Sequence, residues 1–190
     1  MKPLRIGIFI LIALAQLSVP AMMAWGRVQT LAHGRVWKLK TAPVDPEDAV
    51  RGRYVMLRFD AEDAYRQPEQ IKSIDSLYAI LKEGPDGFAV VDHLSFSANP
   101  GDSAMRVEPG GFWDGQQRIE FPLRYYWVTE KNAPAAEAAY RENSKRAQQN
   151  AFVTVRIRNG DSALDQLYID NQPLADYLRA QAASKKPATP

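Results

Sequence analysis

The stretch 43-PVDPEDAVRGRYVMLRF-59 decides the fold of this chain. Pro43 and Pro46 fix their own φ angles, and Asp45 between them favours a turn, so the stretch begins with a stiff corner. Gly52 then tolerates backbone conformations that other residues resist. We interpret the corner mainly as a structural element, and a binding surface on it is the alternative.

The second half of the stretch, residues 53–59, alternates between two faces. A period of two with aromatic and branched residues predicts a β-strand. One face is wholly apolar, and the other also carries large side chains, so we expect this strand to be covered on both sides near its start. The first face holds Val55, Leu57 and Phe59, and the second holds Tyr54, Met56 and Arg58.

These residues resemble the motif of the bacterial membrane-anchored proteins named for their GDYXXLXY sequence. Gly52, Tyr54 and Leu57 match the motif, whereas Arg53 replaces its aspartate and Phe59 replaces its final tyrosine. The resemblance extends to the N-terminal apolar segment, to 125-YYWVTE-130 and to the hairpin that ends in 167-LYID-170. It implies a membrane-anchored domain but no mechanism, because the family's biochemical function is unassigned.

The N-terminus carries an apolar segment, Ile6 to Ala24, without a charged residue. As a helix it would span roughly 28 Å at about 1.5 Å per residue, which is close to the hydrocarbon thickness of a bilayer. Lys2 and Arg5 precede it and favour a cytoplasmic N-terminus. Small residues around Ala21 would also suit cleavage of a signal peptide.

We favour an uncleaved signal-anchor, because the apolar run continues through Ala21 to Trp25, which suits a membrane interface. The sequence therefore predicts a single-pass protein of the inner (cytoplasmic) membrane with its C-terminal domain in the periplasm. The expected divisions are a cytoplasmic N-terminus at 1–5, a transmembrane segment at 6–25, an extracytoplasmic domain at 26–182 and a disordered tail at 183–190.

Composition excludes several classes of protein. Of the 190 residues, 46% are hydrophobic, which is enough for a folded core. Residues 1–25 hold two of the 24 basic residues and none of the 22 acidic ones, so positive and negative charges are equal in number in the rest of the chain. This balance does not favour binding to nucleic acid. Cysteine is absent, which excludes disulfides, thiolate metal sites and a cysteine nucleophile.

The rest of the chain predicts short strands and one helix. Two hairpins are expected, at 77–96 and at 151–170. A long strand is expected at 118–128, where Ile119, Phe121, Leu123, Tyr125 and Trp127 share a face, and Pro122 indicates an edge strand or a bulge. Residues 99–115 are expected to form a loop, and 134–149 a surface helix. This pattern indicates an α+β domain, mainly antiparallel, as a small barrel or sandwich with one surface helix, preceded by the transmembrane helix.

Catalytic and metal-binding signatures are missing. The two histidines, His33 and His93, are far apart in sequence, and there is no G-x-S-x-G motif. We therefore predict no catalytic residue, metal ligand or cofactor. Candidate contact residues are the exposed-loop aromatics Phe112 and Trp113 and a polar group that comprises Glu130, Arg51 and Arg53.

Three hypotheses for function remain. The first is a non-enzymatic module that binds another envelope or membrane protein. The second is a carboxylate-dependent enzyme that acts on cell-wall glycan or peptide, with Glu130 and Asp45 or Asp48 across a cleft. The third is a barrel that binds lipid or polysaccharide in an apolar cavity of several hundred Å³.

Overall fold

A computed structural model of the protein describes residues 2–42, 54–65, 71, 77–96, 101–145 and 150–184. Over these residues the chain has four helices and eleven mostly antiparallel strands in several small sheets, and the strands form no closed barrel. The predicted class, α+β and mainly antiparallel after a long apolar helix, is confirmed. In chain order the elements are α1 Lys2–His33, β1 Arg35–Lys40, β2 Tyr54–Met56, α2 Asp60–Ala64, β3 Tyr78–Glu83, β4 Ala89–Ser95, β5 Ala104–Arg106, β6 Glu108–Trp113, β7 Gln116–Glu120, β8 Tyr125–Trp127, α3 Ala133–Asn143, β9 Ala151–Arg158, β10 Asp161–Ile169, β11 Gln172–Pro173 and α4 Leu174–Ser184.

The largest sheet has the strand order β1-β9-β10-β11. Its central hairpin turns at Asn159 and Gly160, both with positive φ (50° and 89°), as a two-residue hairpin turn requires. The inward side chains of β1 and β9 alternate along the chain and form one wall of the core. These side chains are Trp37, Leu39, Val153, Val155 and Ile157.

The other wall of the core contains the stretch that decides the fold. Val55, Leu57 and Phe59 are each no more than 2% exposed, which confirms their predicted common face. β2 pairs with β8, and a further antiparallel bridge joins Thr41 to Phe59, so the stretch connects the small β2–β8 sheet to the end of β1. Residues 54–59 are thus part of the structural centre of the domain.

The predicted strand at 118–128 is in fact two strands separated by Pro122. β7 pairs with β6, whereas β8 pairs with β2, so the chain changes partner between residues 121 and 124. Proline has no N–H and cannot continue a ladder, which is why the change falls there. Phe121 and Leu123 are buried, but Tyr125 and Trp127 are 42% and 69% exposed. The prediction that all five residues share one face is therefore wrong.

The predicted loop at 99–115 is also wrong over most of its described length, because it contains β5 and β6. β6 and β7 form a hairpin whose turn, Asp114 and Gly115, has positive φ at both residues. Pro109 is tolerated within β6 because both strands of a two-stranded sheet are edge strands, and because the register shifts between Pro109 and Phe112. The Asp-Gly pair was an available hairpin signal in the sequence.

Two helices pack against the sheets after β8. α3 lies on the surface as predicted but ends at Asn143, and Tyr140, 3% exposed, donates its hydroxyl to the Ala42 carbonyl at 3.2 Å. Burial raises the pKa of Tyr140, which keeps the phenol protonated as the donor. α4 follows β11 directly and was not predicted from its sequence, which lacks an apolar stripe because Leu174 is its sole fully buried residue. The predicted tail beyond Ser184 lies outside the described residues.

Helix α1 is long and apolar enough to cross a membrane, and its side chains from Ile6 to Val28 are largely exposed. Its last turns behave differently, since they contact β9 and β10. Thr30 is 3% exposed, and the Arg158 guanidinium donates to the Gln29 side-chain oxygen at 3.3 Å. The chain then leaves the helix at Gly34, whose N–H donates to the Thr30 carbonyl at 2.9 Å. The helix end is therefore docked on the large sheet.

We expect Gly34→Ala to destabilise this junction by about 1–3 kcal/mol, the usual cost of overpacking. A Cβ at Gly34 would lie 2.5 Å from the Thr30 carbonyl oxygen and 3.1 Å from the backbone nitrogen of Ile157, and neither backbone atom can move aside cheaply. Gly26→Ala in the same helix is the matched control, since nothing lies within 4 Å of its Cβ position. Urea unfolding of the full-length protein in detergent micelles measures the stability of both variants. Equal midpoints for Gly34→Ala and Gly26→Ala would contradict the prediction.

Candidate functional site

Three of the seven predicted motif residues, Tyr54, Leu57 and Phe59, fall in the described part of the chain. Leu57 and Phe59 are buried in the core, so their position is structural, and Tyr54 is half-buried. The predictions for Pro43, Asp45, Pro46, Arg51, Gly52 and Arg53 lie outside the described residues and stay predictions. Asp45 and Asp48, which the hypothesis of a carboxylate pair requires, also lie outside the described residues, so that hypothesis stays a prediction.

The replacement of the motif's last tyrosine by phenylalanine suits the environment of Phe59. Its ring is 1% exposed and packs on Phe121 with centroids 5.6 Å apart. A hydroxyl buried at this depth would need a hydrogen-bond partner, because an unpaired one costs on the order of 1–3 kcal/mol. Phenylalanine removes that requirement while keeping the ring in the core.

The outer face of the β2–β8 sheet carries three aromatic side chains in contact, Tyr54, Tyr125 and Trp127, which we call the aromatic surface. The Tyr54 ring packs edge-on against the rings of Tyr125 and Trp127, at centroid distances of 4.7 and 5.4 Å. T-shaped contacts of this kind are favourable for aromatic pairs. The motif tyrosine therefore supports two exposed rings that come from a strand far away in sequence.

The inner face of the same sheet fixes the aromatic surface to the domain. Val55 is buried, and Tyr126 is half-buried next to β10. Burial raises the pKa of Tyr126, and hydrogen bonding to the Leu167 backbone and the Gln166 side chain acts in the opposite direction. With Tyr126 held in this way, Tyr125 and Trp127 point outward by the alternation of the strand.

A cleft of about 260 Å³ opens beside the aromatic surface, and Tyr125 belongs to both. We call it the charged cleft, because its lining includes three arginines and three carboxylates. They come from the end of the motif stretch, from α2 and from β7 and the chain that follows it. These residues are Arg58, Glu62, Asp63, Arg118, Glu120 and Arg124.

Most charges in the cleft are already paired. Arg58 Nη2 lies 2.9 Å from Asp63 Oδ1, and Arg124 forms an ion pair with Glu120. Arg118 is exposed and makes no ion pair with any residue that the structure describes. Within the described part of the chain, Arg118 is therefore the guanidinium of the cleft that is not engaged by a carboxylate.

Glu62 is the carboxylate in the cleft with the clearest structural role. One carboxylate oxygen accepts the N–H of Phe121 at 2.5 Å, and the other accepts the N–H of Phe59 at 3.1 Å. The second bond provides an acceptor for the N–H of Phe59, the residue that precedes α2, as a glutamate in a helix capping box does. Burial raises the pKa of Glu62 despite these bonds. A raised pKa is also what a general acid has, but both oxygens are committed to the backbone, which favours the structural interpretation.

The remaining candidate residues are not brought together. Phe112, 42% exposed, lies near the tip of the β6–β7 hairpin, and Trp113 is the next residue of that strand. Glu130 lies in the turn before α3, and neither Phe112 nor Glu130 lines the charged cleft. A second cavity of about 420 Å³ is lined by apolar Leu77, Val107, Pro109 and Pro122 together with Arg106 and Glu108. Its size is compatible with a small ligand, although the fold lacks the barrel expected for that function.

Comparison with known proteins supports the resemblance in the motif. No curated protein and no solved structure matches the chain. A family described as GDYXXLXY protein matches residues 16–167, which include part of α1, the motif stretch, both strands of the aromatic surface and most of β10. Because this match covers most of its length, the chain belongs to the GDYXXLXY protein family.

Proposed function

We propose that this protein is a membrane-anchored protein-interaction module of the bacterial envelope, which binds its partner through the aromatic surface. In this proposal α1 stays in the inner membrane and the domain lies in the periplasm. Lys2 and Arg5, which precede the apolar segment, support that orientation through the positive-inside rule. A reporter fused after Ser184 that is active only in the cytoplasm would reject the orientation.

The observation that carries the proposal is the exposure of Trp127 and Tyr125 on a sheet whose other face packs against the domain. Trp127 is 69% exposed and Tyr125 is 42% exposed, although both rings are held by Tyr54. Tryptophan and tyrosine are enriched among the residues that dominate binding energy at protein interfaces. The neighbouring charged cleft supplies the polar rim that such interfaces have.

We expect Trp127→Ala to weaken partner binding by about 30-fold or more, as loss of a central aromatic contact costs at least about 2 kcal/mol. The fold should tolerate the change, because the side chain is mostly in solvent. The amount of partner that co-purifies with the tagged full-length protein from cross-linked cells measures binding. The midpoint of unfolding shows whether the variant is still folded. Recovery of no stoichiometric partner by the unchanged protein would count against the proposed function.

Phe112→Ala is the matched control, since it also removes a partly exposed aromatic ring but from a different sheet. We expect it to leave partner recovery unchanged. If Phe112→Ala abolished recovery while Trp127→Ala did not, the contact surface would lie on the β6–β7 hairpin instead of on β8.

A further inference from the structure

The alternation of hydrogen bonds in the β2–β8 sheet leaves one edge of β8 without a strand partner among the described residues. Val55 pairs with Tyr126, and the Leu57 N–H donates to the Arg124 carbonyl at 2.8 Å. Hydrogen-bonded and non-hydrogen-bonded pairs alternate along antiparallel strands, so Val55 and Tyr126 also form a bonded pair. The N–H and C=O groups of Tyr125 and Trp127 consequently point away from β2.

Those four backbone groups have no hydrogen-bond partner among the described residues. Proteins usually protect such an edge with a lysine, a proline, a bulge or a covering element. β8 has the sequence Tyr-Tyr-Trp and carries none of the protective residues. An open edge flanked by exposed aromatic rings is a template for an added strand.

The charged cleft restricts the kind of strand that fits. It adjoins Tyr125, at one end of β8, and Arg118 is its cation that has no ion pair among the described residues. Asp63 and Glu120 are engaged by Arg58 and Arg124, and the Glu62 carboxylate is turned toward backbone N–H groups. A segment that runs along β8 and continues past Tyr125 would therefore find a site for a negative side chain.

We propose that the partner contributes an extended peptide segment that adds to the free edge of β8 as a third strand and places an acidic side chain against Arg118. Backbone bonds to Tyr125 and Trp127 supply the register, and the two rings contact alternate side chains of the segment. This inference rests on the proposed function, because it specifies how the interaction module binds its partner.

The first test needs no partner and measures amide hydrogen exchange by NMR in the full-length protein in detergent micelles. We expect the amides of Tyr125 and Trp127 to exchange at least 100-fold faster than those of Tyr126 and Leu57, which donate within the sheet. Protection of Tyr125 and Trp127 equal to that of Tyr126 would show that the edge is occupied, and the inference would be overturned.

The second test identifies the occupant with a photoreactive benzoyl-phenylalanine at position 127 in intact cells, followed by sequencing of the cross-linked product. A single protein segment is the supporting result. A cross-link to glycan, to lipid or to a second copy of this chain, or no cross-link at all, rejects the proposed function together with the inference.

The third test uses the cross-linked segment as a synthetic peptide, with N-methyl groups introduced one residue at a time. Strand addition predicts a loss of affinity of at least 10-fold at every second position and little change between them. Arg118→Gln should weaken the peptide by roughly 10-fold and Arg118→Lys by much less. Binding without this alternation, or without an effect of Arg118→Gln, would overturn strand addition while leaving the interaction function intact.

Discussion

Phe59→Ala is expected to lower the free energy of unfolding by about 3–5 kcal/mol, the usual cost of truncating a buried phenylalanine. The side chain is 1% exposed and packs on Phe121. Its backbone also forms the bridge to Thr41 and the cap position of α2, so the cavity would open where three elements meet. Little relaxation is available there, which favours the upper part of the range.

Urea unfolding of the full-length protein in micelles, followed by tryptophan fluorescence, measures this change. Trp37 is buried in the same core and reports its loss of packing. Phe112→Ala removes the same side chain from a site that is 42% exposed, and it should cost less than about 1 kcal/mol. Similar losses for Phe59→Ala and Phe112→Ala would show that the motif's last residue is not a core residue.

Glu62→Ala is expected to cost about 2–4 kcal/mol. The change leaves the N–H groups of Phe59 and Phe121 without the acceptors that now hold the start of α2 against the end of β7. Losing an acceptor for a part-buried N–H costs on the order of 1–3 kcal/mol for each bond. The matched control is Asp63→Ala, since Asp63 makes an exposed ion pair with Arg58 that is worth at most about 1 kcal/mol.

The pH dependence of Glu62 provides a separate check. Because burial raises the pKa of Glu62 above its ordinary value of 4.5, the folded state binds this proton more tightly than the unfolded state. The resulting stabilisation is fully present below pH 4.5 and is lost as the pH rises through the raised pKa. The unfolding free energy of the unchanged protein, measured relative to that of Glu62→Gln, should therefore fall as the pH is raised above 4.5. A difference that rises or stays constant would contradict the prediction.

Local sequence signals were sufficient for much of the fold. The hairpins at 77–96 and 151–170 combine alternating apolar residues with glycine-containing turns, and both are present. The common face of Val55, Leu57 and Phe59 also follows from a period of two. These features depend on residues that are close in sequence, so the sequence alone contains the information needed to predict them.

The aromatic surface could not be predicted in the same way. Tyr54 and Tyr125 are 71 positions apart and meet only because β8 leaves the β6–β7 hairpin and pairs with β2. Alternation through Pro122 placed Tyr125 and Trp127 on the same face as Ile119, whereas the irregular residues around the proline reverse which face is buried. The charged cleft has the same origin, since Glu62 and Arg118 are joined by tertiary packing alone.

The docked end of α1 determines how far the proposed interaction module can reach. With Ala24 at the edge of the hydrocarbon layer, the nine further helical residues raise the domain by only about 14 Å at about 1.5 Å per residue. Because Gly34 packs the helix end on the large sheet, no free linker lies between bilayer and domain to extend that range. In the proposed membrane-anchored arrangement, the module therefore cannot move away from the bilayer on a linker, and its partner must come to it.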